Sequence, residues 1–390
     1  MSHGAVVREW LPLAGLMVSA FVFNTSEFMP VGLLLDIGES FGASESQTGM
    51  LVSIYAWAVM LLSLPLMVVA TRVPFRPLLL GVVALFAAGQ FLSSVAASYE
   101  ALMGARLVVA ASHAVFWAIV APIAVRIASP SRQSLALSMV VMGSSVAMIV
   151  GLPLGRSIGL FMGWRLAFGC VCAVATALLV YLAVLLPRVS GAEPFSLSRL
   201  PGVMKNKALF GLFALTALYS LGYYTVYSYI EPFLQQVGGL DDAMITMALS
   251  SFGVAGVVGS ALYARVGAAH SRAFLCLVVG GVAVSLFLIA GAAFGAVAAF
   301  SVCALWGLSG AAFSAASQGE IIRSAAGDEE TVAMAIFSGI FNFGIGTGAL
   351  LGGAVVDALG VCLVGVAGGI VGVAALLYCV FVVTPRLARG

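Results

Sequence analysis

Charge is what this sequence has least of. Asp, Glu, Lys and Arg make up 8% of its 390 residues, against roughly 25% in a soluble domain. With 62% of the chain apolar, one globular core cannot hide the surplus, and the lipid bilayer is the solvent that fits. Histidine is scarcer still, at three residues. With few acids beside it, a metal centre or a nucleophile–base pair has little to be built from. No HExxH, GxGxxG, Walker A or GxSxG element falls in a fitting context. No catalytic residue, metal ligand or cofactor is therefore expected, and transport powered by ATP would need a partner chain. Basic runs are missing and the net charge is only +2, which argues against a nucleic-acid partner. The six cysteines (Cys170, Cys172, Cys276, Cys303, Cys362 and Cys379) lie in apolar segments without disulfide or zinc spacing, so packing is their expected role. Glycine, by contrast, is abundant at 45 residues, and small residues let membrane helices approach closely.

The few charges punctuate the chain at the interval a membrane helix needs, about 20 residues. Glu45 to Arg72, Arg76 to Glu100, Arg132 to Arg156, Arg165 to Arg188, Asp242 to Arg265, Glu330 to Asp357 and Asp357 to Arg386 each enclose one span. Arg272 to Glu320 encloses two, with a turn near Gly291 to Gly295. Three more segments complete a set of twelve: Glu100 to Arg126, the stretch around Tyr227, and the run after Arg8, which is too long for a signal peptide's apolar region. The predicted fold is an all-α membrane protein of twelve transmembrane helices in two six-helix bundles. The bundles cover residues 1–187 and 208–390, and a hydrophilic linker covers 188–207. With the N-terminus in the cytoplasm, 14 of the 17 basic residues fall in cytoplasmic loops, as the positive-inside rule asks. Arg106, Arg156 and Arg165 are the exceptions, and both termini are expected to be cytoplasmic. The halves echo each other. Thr71-Arg72-Val73-Pro74 is matched by Ala264-Arg265-Val266-Gly267, 193 positions on, and Gly151-x3-Gly155 by Gly348-x3-Gly352, 197 positions on. Two matches at nearly one offset support an internal duplication, which in secondary transporters places the site between the repeats near the midplane.

Ionisable residues inside lipid are costly and mark function by default. Glu27 lies in the first span, nine residues before Asp36, hence roughly 13 Å inside the outer helix end. Asn24 is one turn away on the same face, and Pro30 loosens the helix just beyond. Burial and a neighbouring cation act on such a carboxylate in opposite directions, so it can carry a proton at physiological pH. In the fourth span Arg106, Ala110, His113 and Trp117 share a face. Arg106 cannot discard its charge, and the His113 imidazole ordinarily titrates between pH 5 and 8. In the seventh span Ser220, Tyr224, Tyr227 and Glu231 are placed on one face by helical spacing. A tyrosine stripe of this kind suits a polyhydroxylated ligand, rings stacking on sugar faces and hydroxyls donating and accepting. Tyr219 and Tyr229 read instead as an interfacial belt. Asn342 offers a hydrogen-bonding amide at depth in the eleventh span, followed by glycines that read as close packing. In the fifth span Gly143, Gly151 and Gly155 leave a groove for a neighbouring helix, and Pro153 bends the span, which can govern sealing of the cytoplasmic entrance.

The six-plus-six plan, with an arginine in both the 2–3 loop (Arg72) and the 8–9 loop (Arg265), resembles the major facilitator superfamily, and Arg106 matches that superfamily's span-4 arginine. The Gly143 to Gly155 pattern is similar to the span-5 motif of its drug:proton antiporters. Two departures stand out. The usual 2–3 loop aspartate is Thr71 here and its glycine is Pro74, while the span-5 Gly-Pro is split as Gly151-Leu152-Pro153 and the glycine pair is Gly155-Arg156. More closely, FNTSEFMPVGLL (23–34), SHAVFWAI (112–119), GLPLGRSIG (151–159), YSYIEPF (227–233) and AMAIFSGIFNFGIGTGAL (333–350) look like the bacterial sugar efflux transporters, over nearly the whole chain. The resemblance implies a multi-pass protein of the bacterial inner membrane that exports sugars such as arabinose and thiogalactosides, driven by the proton gradient. It further implies a central cavity lined by Asn24, Glu27, Arg106 and His113. Arg72, Gly151, Pro153, Gly155 and Arg265 stand at its gating motifs.

These readings converge on a sugar:proton antiporter working by alternating access. Glu27, Arg106 and His113 are expected to handle the proton. Asn24, Arg106, His113, Trp117, Tyr224, Tyr227, Glu231 and Asn342 are expected to bind the sugar. The partners are sugar, protons and lipid, and a monomer is the expected state. The alternative is a multidrug or nucleoside exporter with the same mechanism, though the Asn, Arg, His and Tyr set favours a ligand rich in hydroxyls.

Overall fold

The computed structural model describes residues 3–70, 73–129, 132–188, 200–267, 270–325 and 330–387. Among these residues, twelve helices are long and apolar enough to cross a membrane. Spans 1 to 6 are Glu9–Phe41, Glu45–Ser63, Phe75–Ser94, Tyr99–Ile127, Met139–Met162 and Trp164–Leu185. Spans 7 to 12 are Lys207–Tyr227, Asp242–Gly267, Ser271–Phe294, Ala296–Ser324, Val332–Leu359 and Val361–Leu387. Polar side chains cap several of them against the first unpaired amides. Ser98 accepts from the Ala101 amide at 3.2 Å, and Asp241 from Met244 at 2.8 Å. Asn206 accepts from Ala208 and Leu209 at 3.0 and 3.2 Å. Where only one residue separates two spans, it is a glycine with positive φ: Gly163 at φ +87° between spans 5 and 6, Gly295 at φ +111° between spans 9 and 10, and Gly360 at φ +85° between spans 11 and 12. Asp36 and Glu39 sit in the helical end of span 1, Leu34–Phe41.

The chain forms two compact units, residues 1–36 with 58–195 and residues 37–57 with 196–390. In the first unit, span 3 packs on spans 4 and 6, and span 1 on spans 5 and 6. The glycines of span 5 seat span 1. A β-carbon at Gly143 would stand 2.2 Å from the Met17 carbonyl oxygen, one at Gly151 2.1 Å from Thr25 Oγ1, and one at Gly155 2.9 Å from Met29 Cγ. At the start of span 1, Glu9 accepts from the Ser129 amide and hydroxyl at 2.9 and 3.1 Å and pairs with Arg132 at 3.3 Å.

In the second unit, span 7 packs on spans 11 and 12, span 8 on span 10, and span 9 on spans 10 and 12. The glycines of span 11 meet span 7 backbone to backbone. A β-carbon at Gly348 would lie 2.6 Å from the Leu221 carbonyl oxygen, and one at Gly352 2.4 Å from that of Thr225. Residues 37–57 join this unit through specific contacts. Trp57 Nε1 donates to Thr347 Oγ1 at 3.3 Å, Gln236 donates to Glu45, and the Tyr229 ring lies against Gly49.

Candidate functional site

In the first unit a polar cluster forms where spans 1, 3 and 4 meet. Span 1 runs as an α-helix to Phe28 and tightens into a 3-10 turn at Met29–Leu33. Pro30, lacking an N–H, lies in that turn. Glu27 lies in the last turn of that helix, and its Oε2 lies 3.5 Å from His113 Nε2 of span 4, with side-chain exposures of 11% and 4%. Arg106 is buried. Its Nη1 donates to Ser26 Oγ at 3.2 Å, and its guanidinium lies over the Phe168 ring at 5.8 Å. Gln90 of span 3 donates to the same Ser26 hydroxyl. The cluster rests on aromatic packing. Phe23 stacks between Phe86 and Phe116 at 3.9 and 4.0 Å, and the Trp117 ring stands 6.0 Å from that of His113. Asn24, half-buried one turn before Glu27, makes no hydrogen bond to this cluster among the described residues.

Ser26 and Gln90 were not singled out in the sequence. Gln90 carried a legible signal, because it is the one amide in the apolar run Phe75–Ser94, and a buried polar group in lipid needs a partner. Ser26 carried none, since its neighbour Glu27 already explained the polarity there. Their roles predict different costs. Ser26→Ala takes the neutral acceptor from a buried guanidinium, a loss of about 1.5–3 kcal/mol. Gln90→Leu removes one hydrogen bond but also a buried Oε1 that has no partner among the described residues, so the two effects offset. Thermal unfolding of the two variants is expected to rank Ser26→Ala well below Gln90→Leu.

In the second unit, spans 7, 8 and 10 hold an aromatic wall. Tyr223 lies 4.9 Å from Tyr224, 5.6 Å from Tyr227 and 5.2 Å from Trp306, ring centre to ring centre. Phe252 closes against Tyr227 and Trp306 at 5.4 and 5.7 Å. Tyr219 stacks on Phe313 at 3.5 Å. Three polar atoms are buried here and in span 11 without a hydrogen-bond partner among the described residues: Tyr219 Oη, Trp306 Nε1 and Asn342 Oδ1. The Asn342 amide nitrogen is turned back to the Ser338 carbonyl at 3.0 Å.

Three expectations for this region are corrected. Glu231 does not continue the Tyr224–Tyr227 face. The helix stops at Tyr227 and Glu231 lies in the first turn of a separate short helix, Ile230–Gln236, because the Pro232 ring cannot sit above the carbonyl four residues back, that of Ser228. Glu231 is nonetheless buried. Ser220 also leaves the stripe, its Oγ meeting Gly344 of span 11. Tyr219 and Tyr229 are buried, not interfacial, and the Tyr229 hydroxyl donates to the Ala349 carbonyl at 3.1 Å. Trp306 was missed because a tryptophan in an apolar helix reads equally well as lipid-facing.

Of the gating residues, Arg72 lies outside the described residues. Arg265 is exposed in a π-turn, Tyr263–Gly267. Gly151 ends a π-turn, Ala147–Gly151, and Pro153 is buried two residues later. The wider turn leaves the proline ring room against the preceding carbonyls. Among the described residues no group of three or more His, Cys, Asp or Glu converges. The cysteines divide: Cys303 and Cys379 are buried, Cys170, Cys172 and Cys276 half-buried, and Cys362 exposed, so packing describes only some of them.

The sequence matches the Major Facilitator Superfamily over residues 16–330 and 212–390. The chain belongs to the Major Facilitator Superfamily. It is 39% identical over 370 residues to a "Probable sugar efflux transporter" of Mannheimia succiniciproducens, spanning 95% of this chain and 93% of that protein. Its fold is similar to a bacterial homologue of the human lysosomal transporter Spinster in an inward-facing, unoccupied conformation. That likeness has a TM-score of 0.78 at 15% identity, covering 100% and 99% of the two chains. It is also similar to a POT peptide transporter in complex with alafosfalin, with a TM-score of 0.76 at 13% identity over 97% and 95%. At such identities these structures show the fold alone. The chain is thus a multi-pass membrane transporter of this superfamily, and not an enzyme.

Proposed function

We propose that this superfamily member exports sugars across a bacterial inner membrane in exchange for protons. The observation that carries the reading is the Glu27–His113 contact at 3.5 Å, one residue from the serine that holds Arg106. An acid and an imidazole in contact inside lipid can share one proton with no net charge on the pair, either as a neutral acid beside a neutral imidazole or as an ion pair. Arg106, permanently cationic, favours a deprotonated Glu27 and so links proton release to whatever else engages the guanidinium. A sugar hydroxyl is such a group. Each ligand must bind the two access states differently to drive the cycle. The Mannheimia relative's name supports sugars, and arabinose and thiogalactosides are the class proposed. Asn24, Arg106, His113 and Trp117 of the first unit, and Tyr224, Tyr227, Glu231 and Asn342 of the second, are each proposed to contact sugar. Both termini are placed in the cytoplasm, the proton gradient is the energy source with no cofactor, and the transporter works as a monomer. Arg72, Gly151, Pro153, Gly155 and Arg265 are assigned to gating.

The aromatic wall of the second unit favours one further reading, export of an amphipathic drug or a nucleoside. Inside-out vesicles decide between them. Their lumen corresponds to the outside of the cell, so an acidic lumen drives protons out to the medium and sugar in. Labelled arabinose or a thiogalactoside is expected to accumulate only while the lumen is the more acidic side. Accumulation of a drug with no sugar would overturn the reading, and so would sugar uptake indifferent to the gradient.

A further inference from the structure

Far from the polar cluster in sequence, spans 9 and 12 place two thiols together. Cys276 stands in the second turn of the helix Ser271–Leu288, and Cys379 opens the π-turn Cys379–Val383 near the end of span 12. Their sulfurs are 3.7 Å apart. Thr384 completes the group, its Oγ1 lying 3.3 Å from Cys276 Sγ and donating to the Cys379 carbonyl at 3.0 Å. With that hydroxyl proton committed, the Cys276 thiol is the donor to Thr384. Cys276 is half-buried and Cys379 buried. The two side chains thus differ in access while facing each other, and a π-turn is a frequent companion of functional sites.

We propose that Cys276 and Cys379 are an oxidisable thiol pair that a small disulfide converts to an intramolecular bond. Cys276, the less buried member, attacks the small disulfide as its thiolate, giving a mixed disulfide and releasing one small thiol. Cys379 then attacks the Cys276 sulfur and releases the second. The two protein thiols lose two electrons and two protons, and one small disulfide becomes two small thiols. The sulfurs need to close from 3.7 Å to about 2.05 Å, a movement within reach of side-chain rotation. The bond staples the beginning of span 9 to the end of span 12, positions 103 residues apart. In a reducing cytoplasm the pair rests as thiols, so its closure reports an oxidising challenge.

Oxidised glutathione added to the purified full-length protein tests this, in a Cys362→Ser background that removes the exposed thiol. Mass spectrometry after denaturation and alkylation is expected to show two thiols lost, no retained glutathione, and one cross-linked peptide pair joining 276 to 379. Cys379→Ser is expected to trap glutathione on Cys276, and Cys276→Ser to yield neither adduct nor cross-link. A full count of alkylated thiols, a link between other cysteines, or a glutathione adduct on unsubstituted Cys276 that never resolves would each overturn the proposal.

Discussion

Glu27→Gln is expected to abolish accumulation of sugar against its gradient while leaving movement down the gradient in place. Glutamine keeps the shape of glutamate and can still meet His113 across the 3.5 Å contact, but it can neither take nor release a proton at any physiological pH. The carrier then cycles without coupling. In inside-out vesicles with an acidic lumen, the sugar ratio across the membrane should fall to that of wild-type vesicles treated with a protonophore. Counterflow, in which unlabelled sugar in the lumen draws labelled sugar in, needs no proton and should survive. The sign follows from the geometry. The variant is fixed in a neutral, proton-loaded likeness, so raising the medium pH no longer speeds the step that releases the proton. An accumulation ratio that stayed at the wild-type level in Glu27→Gln would move the coupling proton elsewhere, His113 being the next group to substitute.

The second large effect is on assembly. Gly348→Leu is expected to prevent recovery of a monodisperse folded protein, and Gly348→Ala to cost about 1–3 kcal/mol, the range for overpacking. The β-carbon would stand 2.6 Å from a carbonyl oxygen and 3.0 Å from an amide nitrogen of span 7. Backbone cannot rotate away as a side chain can, so the two helices must part. Span 7 carries Tyr224 and Tyr227, so separation also moves the aromatic wall, and sugar affinity should fall together with stability. Gly339 serves as the control in the same helix, because nothing lies within 4 Å of a β-carbon built there. Gly339→Ala should leave thermal stability unchanged or raise it by up to about 1 kcal/mol through helix propensity. If Gly348→Ala and Gly339→Ala unfold at the same temperature, the close packing of spans 7 and 11 is not what holds that pair.

The glycine contrast shows how much of the molecule was legible beforehand. Glycines four apart in an apolar helix announce a packing stripe whatever helix they meet, and span 5 and span 11 both obey. Which helix they meet is not written in the stripe. Gly143 fits span 1, and Gly348 and Gly352 fit span 7, because those helices present backbone at that height, while Gly151 makes room for the Thr25 side chain of span 1. Likewise Glu27, Arg106 and His113 were conspicuous as charges in lipid, and the Arg106–Ala110–His113–Trp117 face followed from helical spacing. The serine between them was not, because a hydroxyl costs little enough in a membrane helix to pass as background, whereas Gln90 behind it was legible as the one amide in its apolar run.

The sequence by itself determined the solvent, the number of crossings and the places where ionisable groups are sunk in lipid, since hydropathy and charge spacing are local properties that each segment expresses alone. The tertiary structure alone decided which partners those groups acquire: His113 for Glu27, Ser26 for Arg106 and Trp306 for the tyrosines. A helix in a bilayer is free to rotate about its axis until it is packed, because every side faces the same apolar solvent. Rotation is therefore set by the neighbours, and with it the side chains that touch.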